Sequence, residues 1–188
     1  MYKFFVSLIL CFSVIISCSD NSSGSEEIND IVGAGSFSVS GDLEAQHEGA
    51  AYFTLTKMNG NVVGIRIHIA EAHPTDRDDS YNPSYTLLFM ADNGGDPFSL
   101  SPTTYEVGQL SDDNLTFAGL YTHRIDADEV VGFNSRNYSG TLTISSYSDE
   151  IMEAVFEFTA ENDIGETEGD EVITLSGEFT AKCFGVTC

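Results

Sequence analysis

Residues 151–160 read Ile-Met-Glu-Ala-Val-Phe-Glu-Phe-Thr-Ala, and apolar residues occupy every second position from Met152 to Phe158. Because side chains alternate between the two faces of a β-strand, this pattern predicts a strand with one face in a core and the other in water. The same alternation recurs on both sides of this stretch. The residues predicted to face inward on this strand and on its two neighbours are Leu142, Ile144, Met152, Ala154, Phe156, Phe158, Ile173, Leu175, Gly177, Phe179 and Ala181.

A tight hairpin is predicted earlier in the chain, at Asn59-Gly60. This dipeptide readily adopts the positive φ angles of a two-residue hairpin turn. After it, Ile65, Ile67 and Ile69 alternate with polar residues and are predicted to face inward. Further strands are predicted at 51–57, 85–91, 104–107, 115–122, 141–147 and 172–182.

Helical periodicity is missing from the sequence, since no window keeps apolar residues at helical spacing over three turns. The one capped helix start, at residues 126–131, reaches Gly132 before a second turn can form. The chain is therefore predicted to be all-β, with a single antiparallel β-sandwich or barrel of about 8–10 strands. We assign this domain to residues 31–188.

The N-terminal residues predict a signal peptide. Lys3 supplies a basic start, and the mostly apolar residues 4–16 have the length of a secretory core, which is about 7 to 15 residues. A membrane-spanning helix would need roughly 20 apolar residues. Ser17 is the small residue before the expected cut, so residues 1–17 are assigned to a cleaved leader.

Ile15-Ile16-Ser17-Cys18 resembles the lipobox of bacterial lipoproteins, in which an aliphatic residue stands three positions before an invariant cysteine. The resemblance implies that Cys18 is lipidated and becomes the new N-terminus. Several acyl chains on one residue hold a protein on a bilayer, because each buried methylene contributes about 0.8 kcal/mol. Ser19 resembles the residue found at this position in outer-membrane lipoproteins. The expected location is the outer membrane of the cell envelope, facing the periplasm or the cell surface.

Residues 18–30 follow as a polar, acidic segment without aromatic residues, which predicts a flexible tether. A flexible chain of this length has a root-mean-square reach of about 20 Å. We therefore expect the β domain to be held clear of the lipid headgroups.

The net charge of the chain excludes nucleic acid as a partner. It is −23 at pH 7. Removal of the leader changes it to −24, because residues 1–17 contain one cation, Lys3, and no acidic residue. A nucleic-acid surface needs clustered lysine and arginine, whereas the remaining cations are scattered. A glycan or protein partner stays open. The remaining cations are Lys57, Arg66, Arg77, Arg124, Arg136 and Lys182.

Two cysteines remain for the folded domain, since Cys11 leaves with the leader and Cys18 is assigned to the lipid. Thiols pair readily in an oxidising compartment. A disulfide between Cys183 and Cys188 is therefore predicted, as a clip at the C-terminal end.

The strand pattern of residues 139–182 resembles that of small Gram-negative cell-envelope lipoproteins. The shared features are Ser-Gly-Thr-Leu-Thr-Ile at 139–144 and a later phenylalanine-rich strand, Ser-Gly-Glu-Phe-Thr at 176–180. Many members of that group have no assigned activity. The resemblance therefore implies a location and an all-β fold, and it transfers no catalytic residue.

No metal site or cofactor is assigned from the sequence, and calcium is the alternative. Calcium prefers six to eight oxygen ligands, and two acidic loops, 73–83 and 161–171, supply carboxylates. The regular Asp-x-Asp-x-Asp-Gly loop is not present, and Arg77 would repel a cation in the first of them. The carboxylates of this alternative are Asp76, Asp78, Asp79, Glu166, Glu168 and Asp170.

Sequence motifs for catalysis are also missing. Gly-x-Ser-x-Gly does not occur. His47-Glu48 begins like a zinc-protease helix, but Ala51 stands where the second histidine is required. The sequence favours a lipid-anchored envelope protein with a binding or structural role. The alternatives are a glycan-binding accessory protein, recognised by a flat row of exposed tyrosines, and a polysaccharide hydrolase, recognised by a pocket with two carboxylates about 5 to 9.5 Å apart.

Overall fold

The period-two pattern is realised as ten β-strands, and no helix occurs among the described residues. The computed structural model describes residues 32–71, 84–110, 115–126, 129–137, 139–163 and 171–185. The predicted all-β class is confirmed. The strands are β1 (Gly33–Gly41), β2 (Ala45–Met58), β3 (Asn61–Ala70), β4 (Tyr85–Asp92), β5 (Thr103–Val107), β6 (Thr116–Arg124), β7 (Val130–Asn134), β8 (Gly140–Tyr147), β9 (Ile151–Asn162) and β10 (Val172–Cys183).

Nine of these strands close into a barrel in the order β1-β2-β3-β4-β6-β5-β8-β9-β10 and back to β1. Most neighbours are antiparallel, as predicted. β5 and β6 instead pair in parallel, with Glu106 opposite Thr116 and Val107 opposite Phe117. Alternation within either strand does not reveal this parallel pairing.

The tenth strand, β7, lies between β6 and β9 and pairs with both. It occupies the part of the wall that lies beyond the ends of β5 and β8. Sequence analysis interpreted residues 126–131 as an aborted helix start and predicted no strand here. The five residues from Val130 to Asn134 are extended because β6 supplies a ladder along their whole length.

The barrel interior is filled with apolar side chains. The residues predicted to face inward in β8, β9 and β10 are buried, apart from the half-buried Gly177. Phe89 packs against Phe156 and Phe158 with ring centroids 5.0 and 5.5 Å apart, in the edge-to-face geometry that aromatic pairs prefer. The described barrel is therefore a packed core.

Two hairpins join strands that are neighbours in the sheet, and the first of them was predicted. Asn59 and Gly60 have φ angles of 52° and 83° and join β2 to β3, which confirms the hairpin. β9 and β10 are antiparallel neighbours, and at the base of their hairpin the Asn162 N–H donates to the Glu171 carbonyl oxygen at 2.9 Å.

The C-terminal end carries the predicted clip in part. Cys183 is disulfide-bonded. Its pairing with Cys188 stays a prediction, because Cys188 lies outside the described residues. The leader, the tether and Cys18 also lie outside them. Within the described ranges, no helix has the length and apolar character to span a membrane.

Candidate functional site

One cluster of polar side chains lies at the end of the barrel where β3 stops and β4 starts, and its members range from buried to exposed. It consists of His47, Glu71, Tyr85, Tyr121 and His123, and we term it the mouth cluster. His47 shares the inward face of β2 with Ala51 and Phe53 further along the strand. The ladder between β4 and β6 places Tyr85 opposite His123.

Hydrogen bonds and ring stacking hold the mouth cluster together. His47 Nε2 lies 2.8 Å from the hydroxyl oxygen of Tyr121, whose side chain is fully buried. The Tyr85 ring stacks on His47 with centroids 4.0 Å apart, and its hydroxyl donates to the Glu48 carbonyl oxygen at 2.6 Å. Gly49 is required here, since a Cβ atom at this position would lie 2.3 Å from the Tyr85 hydroxyl oxygen.

Burial controls protonation in the mouth cluster. It lowers the pKa of His47 to about 4; nearby His123 lowers this pKa further, whereas Glu71 opposes the change. Burial also lowers the pKa of His123. Burial raises the pKa of Tyr121, and Tyr85 adds to this effect. At neutral pH the imidazoles are therefore neutral and the Tyr121 phenol keeps its proton.

The mouth cluster is suited to closing the barrel end. A buried polar group needs a hydrogen-bond partner. The contact between Tyr121 and His47 provides one for the phenol and one for the imidazole. A catalytic acid or base must reach its substrate, whereas the Tyr121 hydroxyl is enclosed by the core. Within the described ranges, no group of three or more histidine, cysteine or acidic side chains is arranged to hold a metal ion.

A loss of stability in acid is expected from His47 and His68. Burial lowers the pKa of His68 to about 4, helped by Arg66, as it does for His47. Between the ordinary pKa of 6.5 and pH 4, these two histidines are protonated in the unfolded chain and neutral in the folded chain. The stabilisation is therefore complete above pH 6.5 and is lost as the pH falls towards 4.

The two histidines together should contribute about 2 kcal/mol of this loss, after allowance for solvent screening. In thermal denaturation, this corresponds to roughly 4 to 8 °C between pH 7.5 and 4.5. The double variant His47→Gln/His68→Gln should lose that part of the pH dependence, since glutamine keeps hydrogen-bonding groups without titrating. An identical pH dependence in the variant would contradict this assignment.

A groove of about 410 Å³ lies in the outer wall of the barrel, and we term it the wall groove. It forms where β6 changes partner, from β5 at Phe117 to β7 at Leu120. Gly119 lies between these positions. Its N–H donates to Ser135 Oγ at 2.9 Å, and its carbonyl accepts from the Ser135 N–H at 3.0 Å.

The floor of the wall groove is apolar. Met90 of β4 lies opposite Ala118 of β6, and both line the groove together with Leu120. Leu110 forms one edge, and 46% of its side chain is exposed. Covering an apolar floor of this kind with a ligand removes it from water, which favours binding.

Polar groups form the opposite side of the wall groove. Asn134 and Ser135 are only 7% and 1% exposed. Asn134 Oδ1 accepts from the Arg136 N–H at 2.9 Å, which orients the amide so that its nitrogen points away from that bond. The Ser135 Oγ accepts from Gly119, which leaves the Ser135 hydroxyl hydrogen able to donate.

Two charged residues complete the wall groove. Arg136 follows β7, and Asp163 follows β9, where its N–H donates to the Gly132 carbonyl oxygen at 2.8 Å. Both side chains are exposed. Within the described ranges, neither the guanidinium nor the carboxylate forms an ion pair.

The outer surface of β2, β1 and β10 forms an acidic face. Glu48, Ser36 and Glu178 are neighbours across these strands and border depressions of about 540 and 710 Å³. Strand spacing puts the two glutamate Cα atoms about 10 Å apart. Both side chains are exposed. A glycosidase acid works from a site shielded from water, and the acidic face supplies no such shielding.

The tyrosines of the described ranges are positioned by the core. Tyr85 and Tyr121 are buried in the mouth cluster. Tyr105 packs on Phe117, and its hydroxyl donates to the Ser101 carbonyl oxygen at 3.0 Å. These three tyrosines therefore cover the core and do not form a flat exposed row. Tyr52 and Tyr147 are half-buried, and Tyr81 and Tyr138 lie outside the described residues.

Two loop carboxylates outside the calcium alternative have described positions. Asp163 is described and lines the wall groove. In the turn at residues 92–97, Asp92 Oδ1 accepts from the Gly94 N–H at 2.8 Å, which is ordinary turn chemistry. The carboxylates of the calcium alternative lie outside the described residues; they are Asp76, Asp78, Asp79, Glu166, Glu168 and Asp170.

Sequence reasoning missed most of the wall groove. Asn134, Ser135 and Arg136 follow a strand that was not predicted. The available signal was the short apolar run Val130-Val131-Gly132-Phe133 before them. No protein-family model, curated protein or solved structure matches the chain.

Proposed function

We propose that the chain is a lipid-anchored envelope protein that binds a small ligand in the wall groove. Attachment rests on the lipobox at residues 15–18, and the acidic tether that follows carries the barrel away from the membrane. The location is the outer membrane. The protein acts by binding, without chemical conversion of the ligand.

The observation that carries this proposal is the composition of the wall groove. Ligand sites are concave, mostly apolar, and contain a few fixed polar groups, with volumes of about 300 to 1,000 Å³. The wall groove combines an apolar floor with buried Asn134 and Ser135, which the ladder between β6 and β7 holds in place. The depressions at the acidic face are larger, but the carboxylates of Glu48 and Glu178 that line them are exposed.

The methionines of this chain provide a direct test. From Ser19 onward the sequence contains Met58, Met90 and Met152. Met90 lies in the wall groove, Met58 is 55% exposed at the hairpin end, and Met152 is 0% exposed in the core. With ¹³C-methyl methionine, a ligand in the wall groove should shift the Met90 signal and leave the other two unchanged.

The sample is the chain from Ser19, which keeps every residue of the described barrel. The ligand panel covers fatty acids, mono- and oligosaccharides, amino acids, short peptides and nucleosides. A matched variant, Ala118→Trp, fills the floor beside Met90 and should abolish the response. If no class shifts Met90 selectively, or if the variant responds equally, the wall groove is not the binding site.

A further inference from the structure

The donors of the wall groove define one half of its ligand. This inference rests on the proposed function of the same groove. Asn134, Ser135 and Arg136 are consecutive, and each has donor hydrogens without a described acceptor: the amide nitrogen, the hydroxyl and the guanidinium. Two of the three residues are more than nine-tenths buried. Hydrogen-bond donors beside a guanidinium are the groups that bind a carboxylate.

Asp163 defines the other half. Asp163 lines the same groove, its side chain is exposed, and no ion pair joins it to Arg136. A ligand carrying only a carboxylate would be repelled by Asp163 and by a chain whose net charge is −23. A zwitterion is not repelled by the net charge of the chain, because it has no net charge itself. Its ammonium group is attracted by Asp163.

We propose that the wall groove binds a small zwitterion with an apolar side chain. Its carboxylate is held by the donors of Asn134, Ser135 and Arg136, and its ammonium group lies towards Asp163. Its apolar side chain covers Met90 and the neighbouring β6 floor. A free apolar amino acid and an apolar di- or tripeptide share this chemistry. The groove volume of about 410 Å³ has room for either.

Four probes separate the two charged contacts. Leucine and the dipeptide Ala-Leu carry both charges, N-acetyl-leucine lacks the ammonium group, and leucinamide lacks the carboxylate. Titration is followed at the Met90 methyl signal, with Met58 and Met152 reporting that the fold is unchanged. We expect leucine or Ala-Leu to bind more tightly than both single-charge probes. The tighter of the two identifies the source of the zwitterion.

Two variants assign the contacts. Arg136→Gln should weaken leucine and N-acetyl-leucine about tenfold and spare leucinamide. Asp163→Asn should weaken leucine and leucinamide roughly fivefold, and it should leave N-acetyl-leucine unchanged or bound more tightly, because the repulsion between Asp163 and its carboxylate is removed. Lys57→Gln removes one positive charge, as Arg136→Gln does, but near the end of β2. It should alter the affinity of none of these probes.

The outcomes separate this inference from the proposed function. If N-acetyl-leucine or leucinamide binds as tightly as leucine, or if another class of the panel alone shifts Met90, the zwitterion is wrong and the groove stands as a binding site. If no compound shifts Met90 selectively, both fail. A fivefold or larger loss in Lys57→Gln would show that overall charge, and not the two contacts, decides the affinity.

Discussion

Replacing Phe158 with alanine is expected to lower the free energy of unfolding by about 4 kcal/mol. The Phe158 ring is 1% exposed and packs against Phe89 and Phe156. Gly119 and Gly140 line its slot without side chains that could move into a cavity. The cost should therefore lie in the upper part of the usual range, and the melting temperature should fall by roughly 8 to 16 °C.

Val155→Ala is the matched control, because it lies on the same strand with its side chain outward and 50% exposed. It should cost less than about 1 kcal/mol in chemical denaturation. Equal losses for the two variants would contradict the inward and outward assignment of β9.

Gly119 provides a second test of the packing around Phe158. A Cβ atom there would lie 2.7 Å from the Phe158 ring, and its three nearest atoms all belong to that ring. Gly119→Ala should therefore destabilise the wild-type barrel and cost less in the Phe158→Ala background. A double-mutant cycle measures this coupling. Additive costs would mean that the two residues do not touch.

The local sequence pattern predicts the strands, because a strand with one buried face has apolar side chains at alternate positions. Phe156 and Phe158 were placed inward from sequence, and both are buried. The turn at Asn59-Gly60 was predictable because its φ angles favour those residue types. Both features depend on neighbours in the sequence.

The candidate site depends instead on contacts between distant residues. The Tyr121 hydroxyl meets His47, which is 74 positions away in the sequence. The wall groove exists because β6 exchanges β5 for β7, and β7 is only five residues long. Alternation states which face of a strand is buried but not which strand lies beside it. The groove residues therefore could not be grouped from sequence.

Replacing Cys18 with alanine should transfer the protein from the membrane fraction to the soluble fraction. Lipidation at this sulfur is the attachment that the lipobox implies, and several acyl chains bind a bilayer far more strongly than one. The expected change is nearly complete and is measured by ultracentrifugation and immunoblotting of both fractions.

Cys183→Ala is the control for this experiment, because Cys183 is disulfide-bonded at the end of β10. It should remain with the membranes. Unchanged fractionation of Cys18→Ala would place the attachment elsewhere in the chain. Release of the Cys183 variant would show that loss of folding, and not loss of lipid, causes the transfer.

The central claim is that ligand binds in the outer wall of a packed barrel. Intermolecular nuclear Overhauser effects between a bound ligand and methyl groups test it most directly. The account predicts contacts from the ligand to the methyl groups of Met90 and Leu120, which line the wall groove. Contacts to Val155 of β9, which lines the depression of about 540 Å³ beside the acidic face, without contacts to Met90, would contradict it.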